Sequence, residues 1–353
     1  MKFIKKHGLI IAAGLVVGAL SVVLVAFGNP KNMGFCIACF LRDMAGGLGL
    51  HRAEAVQYIR PEIIGLVLGA LVASLIGKEF SVKGGSAPLI RFVLGFCVMV
   101  GALMFLGCPL RMILRIGGGD LNAIVGLAGF AAGILAGVFT LNKGFTLKRS
   151  YDMPKLEGWV TPAAAAALLV LLVSGSAVLF FSESGPGSMR APILLALAAG
   201  LIVGVLAQRS RLCMVAGIRD SVMFKDFHLL YGFLAIFVAA LVGNAITGNL
   251  NFGFEGQPIA HSDALWNVLG MVLVGYGSVL LGGCPLRQLI LAGSGNADSG
   301  VAVIGMIVGA AFCHNFKLAS SADGPTAGGK IAVLIGLGLT VLIAVLNTRK
   351  KRA

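Results

Sequence analysis

Phe105-Leu106-Gly107-Cys108-Pro109-Leu110-Arg111 is echoed by Leu281-Gly282-Gly283-Cys284-Pro285-Leu286-Arg287, with the second cysteine 176 residues after the first. A second echo, Cys-x5-Arg-Asp, pairs Cys36, Arg42 and Asp43 with Cys213, Arg219 and Asp220 at an offset of 177. Two different motifs at one offset identify a tandem duplication. Each copy places a thiol beside a fixed positive charge at two positions.

Composition states the medium in which those copies fold. Hydrophobic residues make up 58% of the 353 and charged residues only 12%, with a mean hydropathy of +0.96. A soluble domain carries about 25% charged residues, so the chain is an integral membrane protein. Apolar runs of about 18 residues or more read as spanning helices. They fall near 8–27, 61–77, 92–107, 121–142, 162–181, 190–207, 228–247, 264–283, 299–317 and 329–347. One short span could be re-entrant, which gives nine to ten spans. The first run follows Lys2, Lys5 and Lys6 but is long for a signal peptide and ends without a small-x-small cleavage site. It is expected to stay as the first helix.

The net charge of +14 is a topology signal rather than a nucleic-acid footprint. With the N-terminus in the cytoplasm and ten spans, 19 of the 28 Lys and Arg fall on the cytoplasmic side. The loop from Lys143 to Lys155 and the Arg349-Lys350-Lys351-Arg352 tail dominate that side. Both termini are therefore expected in the cytoplasm.

Aligned on the cysteines, span 1 matches span 6, 2 matches 7, and so on to 5 and 10. Five is odd, so the second copy enters from the opposite face, which gives two inverted repeats. The expected fold is an all-α membrane protein with short re-entrant helices that carry the cysteine motifs. The expected divisions are a first repeat at 1–142, a cytoplasmic linker at 143–160, the fifth span at 161–184 and the second repeat at 185–353. The segments Met33–Gly49 and Cys213–Phe224 are too short and glycine-punctuated to cross, and read as helices dipping into the protein. Pro109 and Pro285 mark where two spanning helices break directly after a cysteine. Non-helical backbone at that depth requires protein or a water-filled cavity around it. Beyond the first break, Gly117-Gly118-Gly119-Asp120 opens the next helix, and Gly293-Ser294-Gly295-Asn296 does the same in the second copy. Asp120 reads as an N-cap, or as one wall of an anion site at a helix N-terminus.

Sulfur is soft and polarisable, and arginine presents a planar fork suited to oxyanions. The candidate relay set is therefore Cys36, Cys108, Cys213 and Cys284 with Arg42, Arg111, Arg219 and Arg287. Asp43, Asp220, Pro109, Pro285 and Asp120 support it. Such a set suits a small soft anion carrying sulfur or selenium. Arg42-Asp43 and Arg219-Asp220 also read as internal ion pairs that lock a re-entrant helix. Cys97 and Cys313 have no repeat partner and read as small buried hydrophobes. Cys36-Ile37-Ala38-Cys39 invites a dithiol redox reading, but Ala216 stands where the second copy would repeat Cys39. No cofactor is expected, and His7, His51, His228, His261 and His314 show no metal-ligand spacing. The spans hold no mid-membrane Asp, Glu or Lys of the kind that forms a proton relay, and no ATP-binding motif occurs.

At these motifs the chain resembles the YeeE/YedE family of bacterial inner-membrane proteins, most closely its YedE-type selenium transporters. The resemblance spans both halves. It implies an hourglass-shaped inverted-repeat transporter, not an enzyme, that passes a sulfur-containing anion along cysteines by transient S–H···S contacts. By position, Cys36, Cys108 and Cys284 match the family's relay cysteines. Pro-Leu-Arg follows the motif cysteines where thiosulfate importers have a small, hydroxyl-bearing segment, which favours selenium over thiosulfate. The resemblance also implies a small cytoplasmic sulfur- or selenium-carrier protein as a partner. A membrane dithiol oxidoreductase using Cys36 and Cys39, and a passive anion channel, are the competing readings.

Overall fold

The computed structural model describes residues 2–348; the basic tail at 349–352 lies outside them. Fourteen α-helices carry the described chain. The first half comprises α1 (Lys2–Ala26), α2 (Ile37–Gly47), α3 (Pro61–Ile76), α4 (Pro88–Phe105), α5 (Pro109–Gly117), α6 (Leu121–Asn142) and α7 (Lys155–Val173). The second comprises α8 (Ile193–Ser210), α9 (Met214–Met223), α10 (His228–Ile246), α11 (Ala264–Leu281), α12 (Pro285–Gly293), α13 (Ala297–Asn315) and α14 (Ala327–Leu346). A two-residue antiparallel ladder, β1 (Lys83–Gly84) with β2 (Tyr151–Asp152), ties two loops together. Among the described residues ten helical segments are long and apolar enough to cross a membrane. The chain is a multi-pass membrane protein.

The order of α2, α5, α9 and α12 bears out the expected re-entrant elements. Both motif prolines sit at the first helical position, where the missing N–H costs nothing. Upstream, α4 and α11 each end in a left-handed residue, Leu106 at φ +59° and Gly282 at φ +85°. These two positions correspond in the duplication, so the first copy holds a leucine in a conformation that glycine adopts freely. A non-glycine residue there carries about 1–2 kcal/mol of strain.

The fifth span departs from expectation. Helix α7 begins at Lys155, ahead of Thr161-Pro162, and stops at Val173 instead of continuing to Phe181. Pro162 lies inside it, as membrane helices tolerate. Gly175 at φ +62° turns the chain, and residues 174–192 become a loop. Its backbone bonds back through Phe180 N to Gly47 O, Ser182 N to Gln57 O and Gly187 N to Ala55 O. Residues 155–160 are thus helix and not linker.

Helix pairing obeys the duplication. Helix α1 packs on α10 and α3 on α8; α4 packs on α13 and α6 on α11; α4 and α11 pack on each other, as do α1 and α8. Exchanging the halves maps this set onto itself. Loops join in two groups that largely alternate along the chain, with 118–120 bonded to the first group through Gly118 O and Asn251 N. One group holds 27–60, 174–192, 247–263 and 316–326, linked for example by Asn315 to Leu50 O and by Arg60 to Pro186 O. The other holds 77–87, 143–154 and 282–296, linked by Ser81 N to Ser294 O and Met153 N to Val82 O. This alternation is consistent with halves that run in opposite directions.

Glycine lets the paired helices touch backbone to backbone. A Cβ on Gly65 of α3 would stand 2.5 Å from Leu197 O of α8, and one on Gly18 of α1 2.6 Å from Ile236 O of α10. In lipid such close van der Waals approach takes the place of the hydrophobic effect between helices. Gly65→Val should therefore lower the melting temperature of the detergent-purified protein, at an overpacking cost of about 1–3 kcal/mol. Gly338→Val, at a position with open space, should leave the melt unchanged.

Candidate functional site

Each half brings its two short helices together at their N-termini, and a cysteine caps each one. In the first half Cys36 caps α2 and accepts from Cys39 N at 3.3 Å. Cys108 is the N-cap residue of α5, and its thiol lies against that of Cys36. In the second half Cys213 caps α9 and Cys284 caps α12, with their sulfurs 3.7 Å apart. That separation is a thiol–thiol contact, well beyond the ~2.05 Å of a disulfide, and all seven cysteines are free and buried. Helix N-termini carry partial positive charge and unpaired N–H groups, so each thiol pair occupies a locally electropositive point. Helix α2 touches α12, and α5 touches α9, so the two pairs belong to one interior.

The two motif arginines lie beside these pairs, and neither has a carboxylate partner among the described residues. Arg111 is fully buried. Its Nε donates to Asn32 O at 3.2 Å, Nη1 to Leu106 O and to Cys39 Sγ at 3.6 Å, and Nη2 to Pro258 O at 3.3 Å and Ile259 O at 3.1 Å. Arg287 is 9% exposed, and its one bond runs from Nη1 to Gln208 Oε1 at 3.4 Å.

The other candidates separate from this group. Asp43 takes Arg42 on one oxygen and Arg60 on the other, each at 2.7 Å and all three buried. Arg219 pairs with Asp220 at 2.8 Å at a partly exposed site. The ion-pair reading of both Arg-Asp motifs thus describes their geometry. Asp120 caps α6 through Asn122 N and binds Arg115 at 2.7 Å. Sequence reasoning passed over Arg115, Arg60, Cys39 as a partner of Arg111, and Gln208. Only Cys39 carried a signal, through its spacing from Cys36. The remainder are set by tertiary contacts between distant segments.

Above the first thiol pair lies a cavity of about 830 Å³. Arg42, Arg52, His314, Lys317, Leu106 and Ile259 are among the residues that line it. The loop carrying Ile259 is held by His261, whose Nε2 meets Met104 O at 2.8 Å while Nδ1 accepts from Asp263 N. Burial pushes the His261 imidazole below its usual value, which keeps it neutral and able to accept at Nδ1. His51 and His314 stack with centroids 4.6 Å apart. No group of three or more His, Cys, Asp or Glu among the described residues is placed to hold a metal ion.

The shared carboxylate predicts an unequal effect of two like substitutions. Asp43→Asn should sharply reduce recovery of folded protein, because removing one partner of a buried ion pair costs about 3–5 kcal/mol. Asp220→Asn, at the partly exposed pair, should lower the melting temperature far less. Size-exclusion profiles and thermal melts in detergent measure both.

Two comparisons bear on this arrangement. Residues 209–348, which include Cys213, Cys284 and Arg287, match the family described as Sulphur transport. The chain is 29% identical over 120 residues to the Thiosulfate transporter TsuA of Escherichia coli (strain K12), a segment covering 34% of this chain and 34% of that protein. The match thus spans about a third of the relative's length. The second half of the chain is thus similar to sulfur transporters, and its two cysteine motifs recur in the first half.

Proposed function

We propose that the protein carries a small sulfur-containing anion of the thiosulfate type across a bacterial inner membrane, without transforming it chemically. The observation that carries this reading is the pair of buried thiol contacts, Cys36 with Cys108 and Cys213 with Cys284, each beside an arginine that lacks a carboxylate partner. A guanidinium attracts an oxyanion through charge-assisted bonds. The S–H groups then offer weak donors to the anion's soft terminal sulfur, so it passes between thiols without forming a covalent bond. The large basic cavity lies on the Cys36–Cys108 side and serves as the periplasmic mouth. The end near Arg287 carries Lys83, Lys143, Lys148, Arg209 and Arg211, which supports a cytoplasmic placement with both termini inside.

A selenium oxyanion offers the same combination of soft centre and charge, and the Pro-Leu-Arg segments drew the sequence reading toward it. The named relative and the matched family both concern sulfur, and thiosulfate fits the paired thiols at least as well. Thiosulfate is therefore the first substrate to test.

Purified protein in liposomes should take up radiolabelled thiosulfate saturably. Cys108→Ala and Cys284→Ala should each reduce uptake by about tenfold or more, the loss that a ~1.4 kcal/mol contact produces. Normal uptake by both variants would refute the relay. Saturable uptake of selenite with none of thiosulfate would reassign the substrate. Uptake by the pure protein would also show that a soluble sulfur-carrier protein is dispensable for translocation.

A further inference from the structure

The two copies of the Cys-Pro-Leu-Arg motif hold their arginines very differently. Arg287 makes one bond, to a side chain. Arg111 is bound by four backbone carbonyls drawn from three separate segments, and by a sulfur. Carbonyl dipoles satisfy hydrogen bonds but supply no net negative charge, and a buried charge ordinarily has a charged partner. Arg115, one turn further along α5, takes Asp120 and leaves Arg111 none. Two of the residues whose carbonyls bind Arg111, Leu106 and Ile259, line the 830 Å³ cavity. Arg111 Nη1, which binds Leu106 O, also meets Cys39, whose N–H binds Cys36 Sγ. The guanidinium thus bonds both to residues of the cavity wall and to the neighbour of the first thiol pair. Leu106 adds a strained left-handed backbone at the same point, where the second copy has Gly282.

We propose that Arg111 is a bolt between the cavity and the Cys36–Cys108 pair, drawn by an oxyanion, and that Cys39 is the positioning residue that holds it shut. Oxygens of an arriving anion take over the Nη2 bonds now made to Pro258 O and Ile259 O. A carbonyl offers the guanidinium a dipole whereas an oxyanion offers a full opposite charge, so an anion favours the released arrangement and a neutral solute does not. An equilibrium moves only as far as a ligand's affinities for its two states differ. Release frees the 256–263 segment and opens the floor. The Nη1–Cys39 contact stays on the thiol side and returns the guanidinium afterwards. The bolt also accounts for the unduplicated cysteine. Where Cys39 would align, the second half has Ala216, and Arg287 there is held by Gln208 alone. Only the nature of the anion rests on the transport reading above.

The test labels full-length protein in liposomes with a membrane-impermeant maleimide from the cavity side, in chloride buffer, and maps adducts by mass spectrometry. Wild type should label slowly at Cys36 and Cys108. Arg111→Gln should label at least about tenfold faster, the factor that corresponds to ~1.4 kcal/mol. Cys39→Ala should fall between the two, and Cys39→Ser, whose hydroxyl again accepts from the guanidinium, should return toward wild type. Hydrogen exchange of the wild type supplies a measurement that needs no variant: thiosulfate should accelerate exchange in 256–263 relative to chloride at equal ionic strength. Wild-type labelling rates in Arg111→Gln would overturn the bolt. So would unchanged exchange in a protein that takes up thiosulfate. Faster labelling in Arg111→Gln with no thiosulfate uptake by the wild type would instead sink the transport reading and leave the bolt standing.

Discussion

A helix interrupted inside a bilayer leaves backbone C=O groups at its stop and N–H groups at the restart that lipid cannot satisfy. This chain has four such stops, at Cys36, Cys108, Cys213 and Cys284, and the rest of the architecture follows from enclosing them. The short helices have to be wrapped by complete spans, which requires α1 with α10, α3 with α8, α4 with α13 and α6 with α11 to close tightly around them. Glycine at the crossings permits that closeness. The thiol is the side chain left at these helix starts, and in the Cys-Pro-Leu-Arg copies an arginine follows one turn on. Fold and chemistry are thus two consequences of the same interruptions.

Much of this was legible in the residues because duplication writes every feature twice. Span number, the re-entrant pieces and the cysteine positions came from the two offsets and from the hydropathy pattern. The fifth span was misplaced because Thr161-Pro162 resembles a helix start in water, whereas a membrane helix accommodates proline internally. Ser174-Gly175 carried the true stop, weakly. The partners of the arginines could not be read. Asp43 serves Arg60, seventeen residues away, as well as its neighbour Arg42. Arg111 is held by carbonyls of a loop 147 and 148 residues along the chain. Backbone oxygens leave no mark in a sequence, so a site built from them is visible only once the loops are in place.

The halves have also diverged where it matters for chemistry. Leucine against glycine before α5 and α12, cysteine against alanine in the first turn of α2 and α9, and four carbonyls against one amide oxygen all distinguish the first copy from the second. The first arginine is fully enclosed by backbone carbonyls, while the second, also buried, is held by Gln208, whose amide donates in turn to Glu79. Identical motifs have become two different environments.

That inequality has a thermodynamic boundary. A tightly held arginine at one end of a passage and a loosely held one at the other change how fast solute crosses each end. They leave the ratio of concentrations at equilibrium untouched, because any anion that lowers a barrier on the way in meets the same barrier on the way out. On the transport reading proposed above, the two arginines would set rates at either end, and any accumulation of the anion would need a gradient or a sink that they do not supply.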